Sequence, residues 1–232
     1  MKKRKKPTLN VLYEDNHIIA VEKPAGMLVH GDETGDRTLA DKVKGYIKQK
    51  YNKPGDVFLG VIHRLDRPVS GVTVFARTSK ALTRMNALIK DRQITKEYLA
   101  LVSDRPDVIK DTLTHYVEKD KKKNFTHIYD KAKGNAKKAV LHYEMLGQIS
   151  GYVLMRINLE TGRPHQIRVQ MKRIGCHIIG DVKYGYEFGN VDKSICLHCS
   201  KMSFIHPVKK ERVTIKVKPP KNDFWDIFKH NY

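Results

Sequence analysis

Tyr152-Val153-Leu154-Met155-Arg156-Ile157-Asn158-Leu159-Glu160 reads as a β-strand with one buried face. Val153, Met155, Ile157 and Leu159 alternate with Leu154, Arg156 and Asn158, and successive side chains of a strand point to opposite sides of its sheet. Ser150-Gly151 just before it is a turn signal, and Lys137 to Gln148 is a second β-prone run beyond that turn. Together they predict a hairpin of long strands in the middle of the chain.

More of the same lies on either side. Leu9 to Glu14 and His17 to Glu22 are β-prone runs around the turn Asp15-Asn16. Phe58 to Ile62, Val72 to Ala76, Ile94 to Ser103, Ser194 to Phe204 and Arg212 to Val217 read as further strands. Helices are fewer. Thr38 to Tyr51 carries Leu39, Val43, Tyr46 and Ile47 on one face, and Thr78 or Ser79 caps a second helix with Leu82, Met85, Leu88 and Ile89 at helical spacing. A short helix follows Thr161-Gly162-Arg163-Pro164, with Ile167, Met171 and Ile174 on one stripe and His165, Arg168 and Lys172 on another. Asn222 to Lys229 closes as a helix. Residues 105–136 have no clean periodicity. Few helices among many strands predict an α+β fold with a large, mainly antiparallel mixed sheet and flanking helices. Residues 1–8 read as a flexible basic arm and 9–232 as a single domain.

Composition narrows the class of partner. The 232 residues contain 45 Lys and Arg against 25 Asp and Glu, a formal net charge of +20. The five basic residues at 2–6 supply only part of it; Lys119 to Lys123, Lys131 to Lys138 and Lys209 to Lys221 are further clusters. Such a balance calls for a polyanion and makes affinity fall with salt. No stretch joins the broad apolar face and the basic face of an interfacial helix, and no apolar run approaches the roughly 20 residues a membrane span needs. The N-terminal Lys/Arg run leads into Pro7 and Thr8 and not into an apolar core, unlike a secretory signal. Three cysteines, Cys176, Cys196 and Cys199, fit a reducing cytoplasm better than a disulfide scaffold.

Walker, dinucleotide-binding, zincin and nucleophile-elbow patterns are missing, so the usual nucleotide, redox and hydrolase readings lose their support. Cys196, His198 and Cys199 lack a matching second pair, and in a strand the two thiols would point to opposite faces. Core cysteines with a surface histidine is the better account than zinc. Two other segments concentrate chemistry. His63-Arg64-Leu65-Asp66-Arg67-Pro68-Val69-Ser70-Gly71 follows an apolar strand and sets one carboxylate between two arginines. Gly162-Arg163-Pro164-His165-Gln166-Ile167-Arg168 is a basic helix start. A turn aspartate accepting backbone hydrogen bonds and a helix start lying on phosphate are the plainer readings of each.

The first of these segments resembles the H-R-L-D-x-x-T-S-G signature of the RluA family of RNA pseudouridine synthases. Leu12-Tyr13-Glu14-Asp15 through Lys23-Pro24-Ala25-Gly26 is similar to that family's opening hairpin and K-P-x-G turn. Lys96-Glu97-Tyr98-Leu99-Ala100 is similar to its K-x-Y-x-A strand. Thr161 to Arg168, followed by Gly180-Asp181 and Tyr184-Gly185, resembles its T-G-R-x-H-Q-I-R and G-D-x-x-Y-G segments. The four segments stand in the family's order and span residues 9 to about 219. Val69, Leu141 and Gln170 depart from the pattern but leave the carboxylate, the tyrosine and the second arginine in place. A compact member without the extra N-terminal RNA-binding module that some relatives carry is expected.

The resemblance implies a pseudouridine synthase fold with an active-site cleft, and isomerisation of uridine in rRNA or tRNA, with no cofactor and no metal. It makes Asp66 the catalytic carboxylate, Arg168 its paired cation, and Tyr98 the residue that stacks on or hydrogen-bonds the uracil and assists removal of the C5 proton. The target base must be flipped out, and Arg64 would fill the vacated space. Arg67, Arg163, His165 and Lys96 would contact RNA, and His63 would be structural. A monomer is expected. The rival readings are a non-catalytic RNA-binding or ribosome-assembly protein on the same fold, a methyltransferase without its glycine-rich loop, and a DNA-binding module without a recognisable motif.

Overall fold

The computed structural model describes residues 9–31 and 35–232, and the basic arm expected at 1–8 lies outside them. The first hairpin is β1 (Val11–Glu14) and β2 (Ile18–Lys23). Asp15 holds its turn, its Oδ1 accepting from the backbone N–H of His17 and Ile18 at 2.8 and 2.9 Å. Helix α1 (Leu39–Lys50) begins at a capping box made by Thr38 and Asp41 and buries Leu39, Val43 and Ile47. Next come β3 (Gly60–Val61), β4 (Ser70–Ala76), helix α2 (Ser79–Lys90) with Thr78 as its cap, and β5 (Thr95–Val102). Two long hairpins follow: β6 (Lys110–Asp120) with β7 (Phe125–Tyr129), and β8 (Lys137–Ile149) with β9 (Tyr152–Leu159). Helix α3 (Gln166–Arg173), β10 (Leu197–Ile205), β11 (Arg212–Lys216) and α4 (Asp223–Asp226) complete the described chain.

Among the described residues all eleven strands lie in one sheet, in the order β1-β2-β4-β10-β5-β9-β8-β6-β7, with β3 on β4 and β11 on β10. Among the described strands only β4 and β10 pair in parallel, and every other pairing is antiparallel. The fold is α+β. Gly71 marks the parallel crossing: its φ is +124°, and a Cβ there would stand 2.3 Å from the Cys199 carbonyl oxygen. Glycine is the residue that tolerates both the angle and the approach.

Several expectations are corrected. The strand read at Phe58 to Ile62 shrinks to Gly60–Val61, with Phe58 exposed. The closing helix is the single turn Asp223–Asp226. The β9 strand is buried on both faces over its middle, because Trp225 and Phe228 cover the side carrying Leu99, Leu101 and Leu154. His198 is not a surface residue: it is fully buried between Ser70 Oγ (2.8 Å from Nδ1) and the Val217 carbonyl (3.2 Å from Nε2). Cys196 and Cys199 do pack into different clusters on the two sides of the sheet. The stretch without periodicity is the β6–β7 hairpin. It buries only Leu113, Val117 and Thr126 at intervals among charged side chains, too few for an alternating signal.

Candidate active site

The loop 62–69 leaves β3, carries Asp66 and enters β4. A turn closed by Val69 N–H on the Asp66 carbonyl (3.0 Å) sets its shape, and Val69 and Leu65 anchor it in the core. The Lys23-Pro24-Ala25-Gly26 turn clasps it from the side. Gly26 N–H and Lys23 Nζ both donate to the Arg67 carbonyl, at 2.8 and 3.1 Å, and Arg67 Nε donates to the Gly26 carbonyl at 3.1 Å. Lys23 is fully buried, and burial drives its pKa down to about 7 although the negative charge of Asp66 opposes the fall.

Opposite this loop stands the start of α3. Gln166 organises it, accepting from Thr161 Oγ1 (2.8 Å) and Arg163 N–H (2.9 Å) and donating to the Val140 carbonyl (3.1 Å). His165 precedes the helix in the left-handed conformation, φ +54°, and gives it no side-chain cap. Its Nδ1 lies 2.6 Å from Tyr184 Oη, which also accepts from Thr126 N–H at 2.9 Å. The expected common face of His165, Arg168 and Lys172 does not form. Arg168 points into the protein and is buried, Lys172 is exposed, and His165 sits outside the helix.

Arg168 meets Asp66 directly, Nη1 to Oδ2 at 3.2 Å. Its other edge forks onto the buried Asp181, at 2.7 Å from Nε and 2.6 Å from Nη2, and its guanidinium lies 4.8 Å from the Tyr184 ring centre. Burial works against the charge on Arg168, but the hydrogen bonds and charge of Asp181, joined by Asp66, outweigh it and hold the pKa above the usual arginine value. His165 Nε2 is 3.8 Å from Asp66 Oδ2. Burial lowers its pKa to about 4 against the pull of Asp66, with Arg168 and Lys119 acting in the same direction as burial, so the imidazole is neutral near pH 7.

Between the two walls is a cleft of about 1080 Å³. Asp66, Tyr98, Arg168, Lys96, His63 and Lys119 line it. Tyr98 is buried, and that burial, with the Cys199 thiol and the charge of Asp66, raises its pKa well above the ordinary tyrosine value. It therefore keeps its proton, which suits a stacking surface and hydrogen-bond donor better than the proton acceptor expected for C5. His63 Nε2 accepts from Val74 N–H at 3.1 Å, the structural role expected for it. Arg64 is exposed at the rim, 3.2 Å from His30 Nε2. Arg67 is exposed too and turns to Asp36, Nη2 to Oδ2 2.6 Å. Arg163 donates to the Lys138 carbonyl at 3.1 Å.

Three participants were given no role by sequence reasoning, and a fourth, Lys119, was read only as part of a basic run facing a polyanion. Asp181 and Tyr184 belong to a segment already singled out, and that was the available signal. Lys23 was visible only as part of a turn. Lys119, from the β6 strand that showed no periodicity, places Nζ 3.3 Å from His165 Nε2. Of the departures, Val69 and Leu141 are core residues, and Gln170 is fully buried with Nε2 donating to the Leu113 carbonyl at 3.2 Å.

A carboxylate gripped by a buried arginine, beside a protonated tyrosine in a cleft whose charged lining is mostly cationic, suits an enzyme that acts on an anionic substrate. Comparison with known proteins agrees. The sequence pattern described as RNA pseudouridylate synthase matches residues 17–173. The ribosomal large subunit pseudouridine synthase D of Zymomonas mobilis is 31% identical over 92% of this chain and 70% of its own length. Its counterpart in Xanthomonas campestris is 33% identical over 92% and 67%, and the synthase C of Buchnera aphidicola 29% over 88% and 65%. The chain thus spans about two thirds of these relatives. A solved structure, human RNA pseudouridylate synthase domain containing 4, superposes with a TM-score of 0.77 over 96% of this chain and 92% of that one, at 21% identity, and shares the fold.

The chain belongs to the RNA pseudouridylate synthase family. It is an isomerase that converts uridine to pseudouridine in RNA.

Proposed function

We propose that the protein isomerises uridine in large-subunit ribosomal RNA, with Asp66 as the catalytic carboxylate. The observation that carries the reading is the fixed pair of Asp66 and Arg168, 3.2 Å apart at the floor of a cleft whose charged lining is mostly cationic. The names of the relatives favour the ribosomal large subunit over tRNA.

The target uridine leaves its stack, at a cost of a few kcal/mol, and its base enters the cleft against Tyr98. Asp66 acts at the sugar, where the N1–C1′ bond breaks; the base turns and rejoins through C5. Arg168 holds the carboxylate in register, and Arg64 on the rim takes the space the base has left. Arg67, Arg163, His165 and the lysines at 119–123 and 131–138 would meet phosphate. The protein would act as a monomer, and three free buried cysteines fit a reducing cytoplasm.

The test is tritium release from C5-labelled uridine in rRNA and in tRNA, comparing wild type with Asp66→Asn. Asn keeps the shape and loses the charge, so the variant is expected to bind RNA without turnover. Product formed by purified Asp66→Asn would sink the assignment of the carboxylate. Release from tRNA and not rRNA would overturn the substrate.

A further inference from the structure

Lys96 enters the cleft from β5 two residues before Tyr98, and so on the same face of the strand. Glu97, between them, faces away and pairs with Lys201 at 3.3 Å. The other buried or partly buried cations in or beside the cleft are all engaged. Lys23 donates to two carbonyls, Arg168 to Asp181 and Asp66, and Lys119 meets Asn124 and His165. Lys96 is different: among the described residues its Nζ has no carboxylate partner and no hydrogen-bond acceptor. It lies partly buried beneath the Thr161–Arg163 loop, where a Cβ on Gly162 would stand 4.0 Å from it. Next to it is a second unanswered donor. His63 Nε2 accepts a hydrogen bond, so the ring proton sits on Nδ1, and that atom is buried without a partner among the described residues.

A cation held in a drying pocket without a counter-charge is costly, and burial accordingly lowers the Lys96 pKa. Such a group is placed for a ligand that brings negative charge to it. The proposed reaction produces one at that depth. When N1–C1′ breaks, the electron pair stays with the ring, and the detached uracil carries a negative charge spread over N1 and its two carbonyl oxygens.

We propose that Lys96 is a catalytic residue that contacts a carbonyl oxygen of the detached uracil and stabilises the anion while it turns beside Tyr98. The inference rests on the function proposed above. Asp66 balances C1′, either by forming an ester there or by taking a C2′ proton. On rejoining, the ring supplies the electron pair of the new C5–C1′ bond, and Asp66 is released or returns its proton. C5 then loses its hydrogen and N1 gains one. Nothing is oxidised or reduced, and the charge facing Lys96 disappears.

The experiment is single-turnover tritium release at saturating enzyme, with RNA affinity measured at several salt concentrations, for wild type, Lys96→Met, Lys96→Gln and Lys96→Arg. Lys96→Met is expected to lose about 10²-fold in rate, with affinity within about twofold of wild type and an unchanged salt slope. Lys96→Arg should recover most of the rate. If Lys96→Met does not melt cooperatively, Lys96→Gln carries the same expectation. A wild-type rate with weaker binding and a salt slope smaller by about one unit would make Lys96 a phosphate contact and overturn the proposal. Equal losses in Lys96→Met and Lys96→Arg would overturn it as well, because a charge requirement predicts rescue. Absence of release by wild type from any RNA would remove the proposed function, and this inference with it.

Discussion

Arg168 serves two carboxylates with unequal commitment. Asp181 takes the planar fork and is almost wholly buried, whereas Asp66 takes one nitrogen and remains partly open to the cleft. Asp181 therefore positions the arginine, and Asp66 is left with lone pairs free for chemistry. Asp181→Ala would leave the buried guanidinium with Asp66 as its one carboxylate partner and two unpaired N–H groups, a loss of up to about 3 kcal/mol that a urea titration should record, with turnover falling as Arg168 loses its orientation. Lys23 makes a pH prediction. In the folded protein it gives up its proton at about 7, against 10.5 for an unburied lysine. Between those values the unfolded chain binds more protons, so this residue's contribution makes stability rise with pH. Lys23→Met has no proton to lose. The stability of wild type relative to Lys23→Met should thus increase between about pH 7 and pH 10.5. A difference independent of pH would mean that Lys23 stays charged.

At the scale of elements, the parallel crossing of β4 and β10 depends on Gly71. Gly71→Ala would force a methyl group into the Cys199 backbone at an unfavourable φ; loss of more than about 4 kcal/mol is expected, seen as insoluble or non-cooperatively melting protein. Gly26 offers a contrast, since a Cβ there meets nothing within 4 Å and only its φ of +82° resists substitution. The strands that were legible in the sequence are those with a strong turn beside them, such as β1–β2 and β8–β9. What escaped was set by distant partners. The two faces of Leu154 and Met155 are both buried because Trp225 and Phe228 fold back from about 70 residues further along the chain. The site divides in the same way. Asp66, Tyr98, Arg168 and Lys96 fall within contiguous motifs. The bond from Lys23 to the Arg67 carbonyl spans 44 positions, and Lys119 reaches His165 across 46, distances no local pattern records.

The whole molecule carries a net charge of +20, and the charged lining of its cleft is mostly cationic around the proposed catalytic carboxylate, Asp66. The excess therefore brings RNA to the protein, while the chemistry rests on the few residues inside. RNA affinity should fall linearly with salt on a double-logarithmic plot, with a slope of about −0.7 for each phosphate neutralised on a single strand. The rate at saturating enzyme should change far less over the same range. A rate and an affinity that fall together would place the basic surface within the catalytic step. The single sheet has another property. Its first half, β1 to β4, and its second, β5 to β9, are hydrogen-bonded to each other only through β10. Asp66 belongs to the first half and Tyr98 to the second, and β10 follows both of them, and Arg168 and Asp181, along the chain. During synthesis, then, the ribosome must release residues 197–205 before the two walls of the cleft can be fastened together. A nascent chain halted earlier already contains every side chain proposed for the reaction and still lacks the strand that joins the two halves of the sheet.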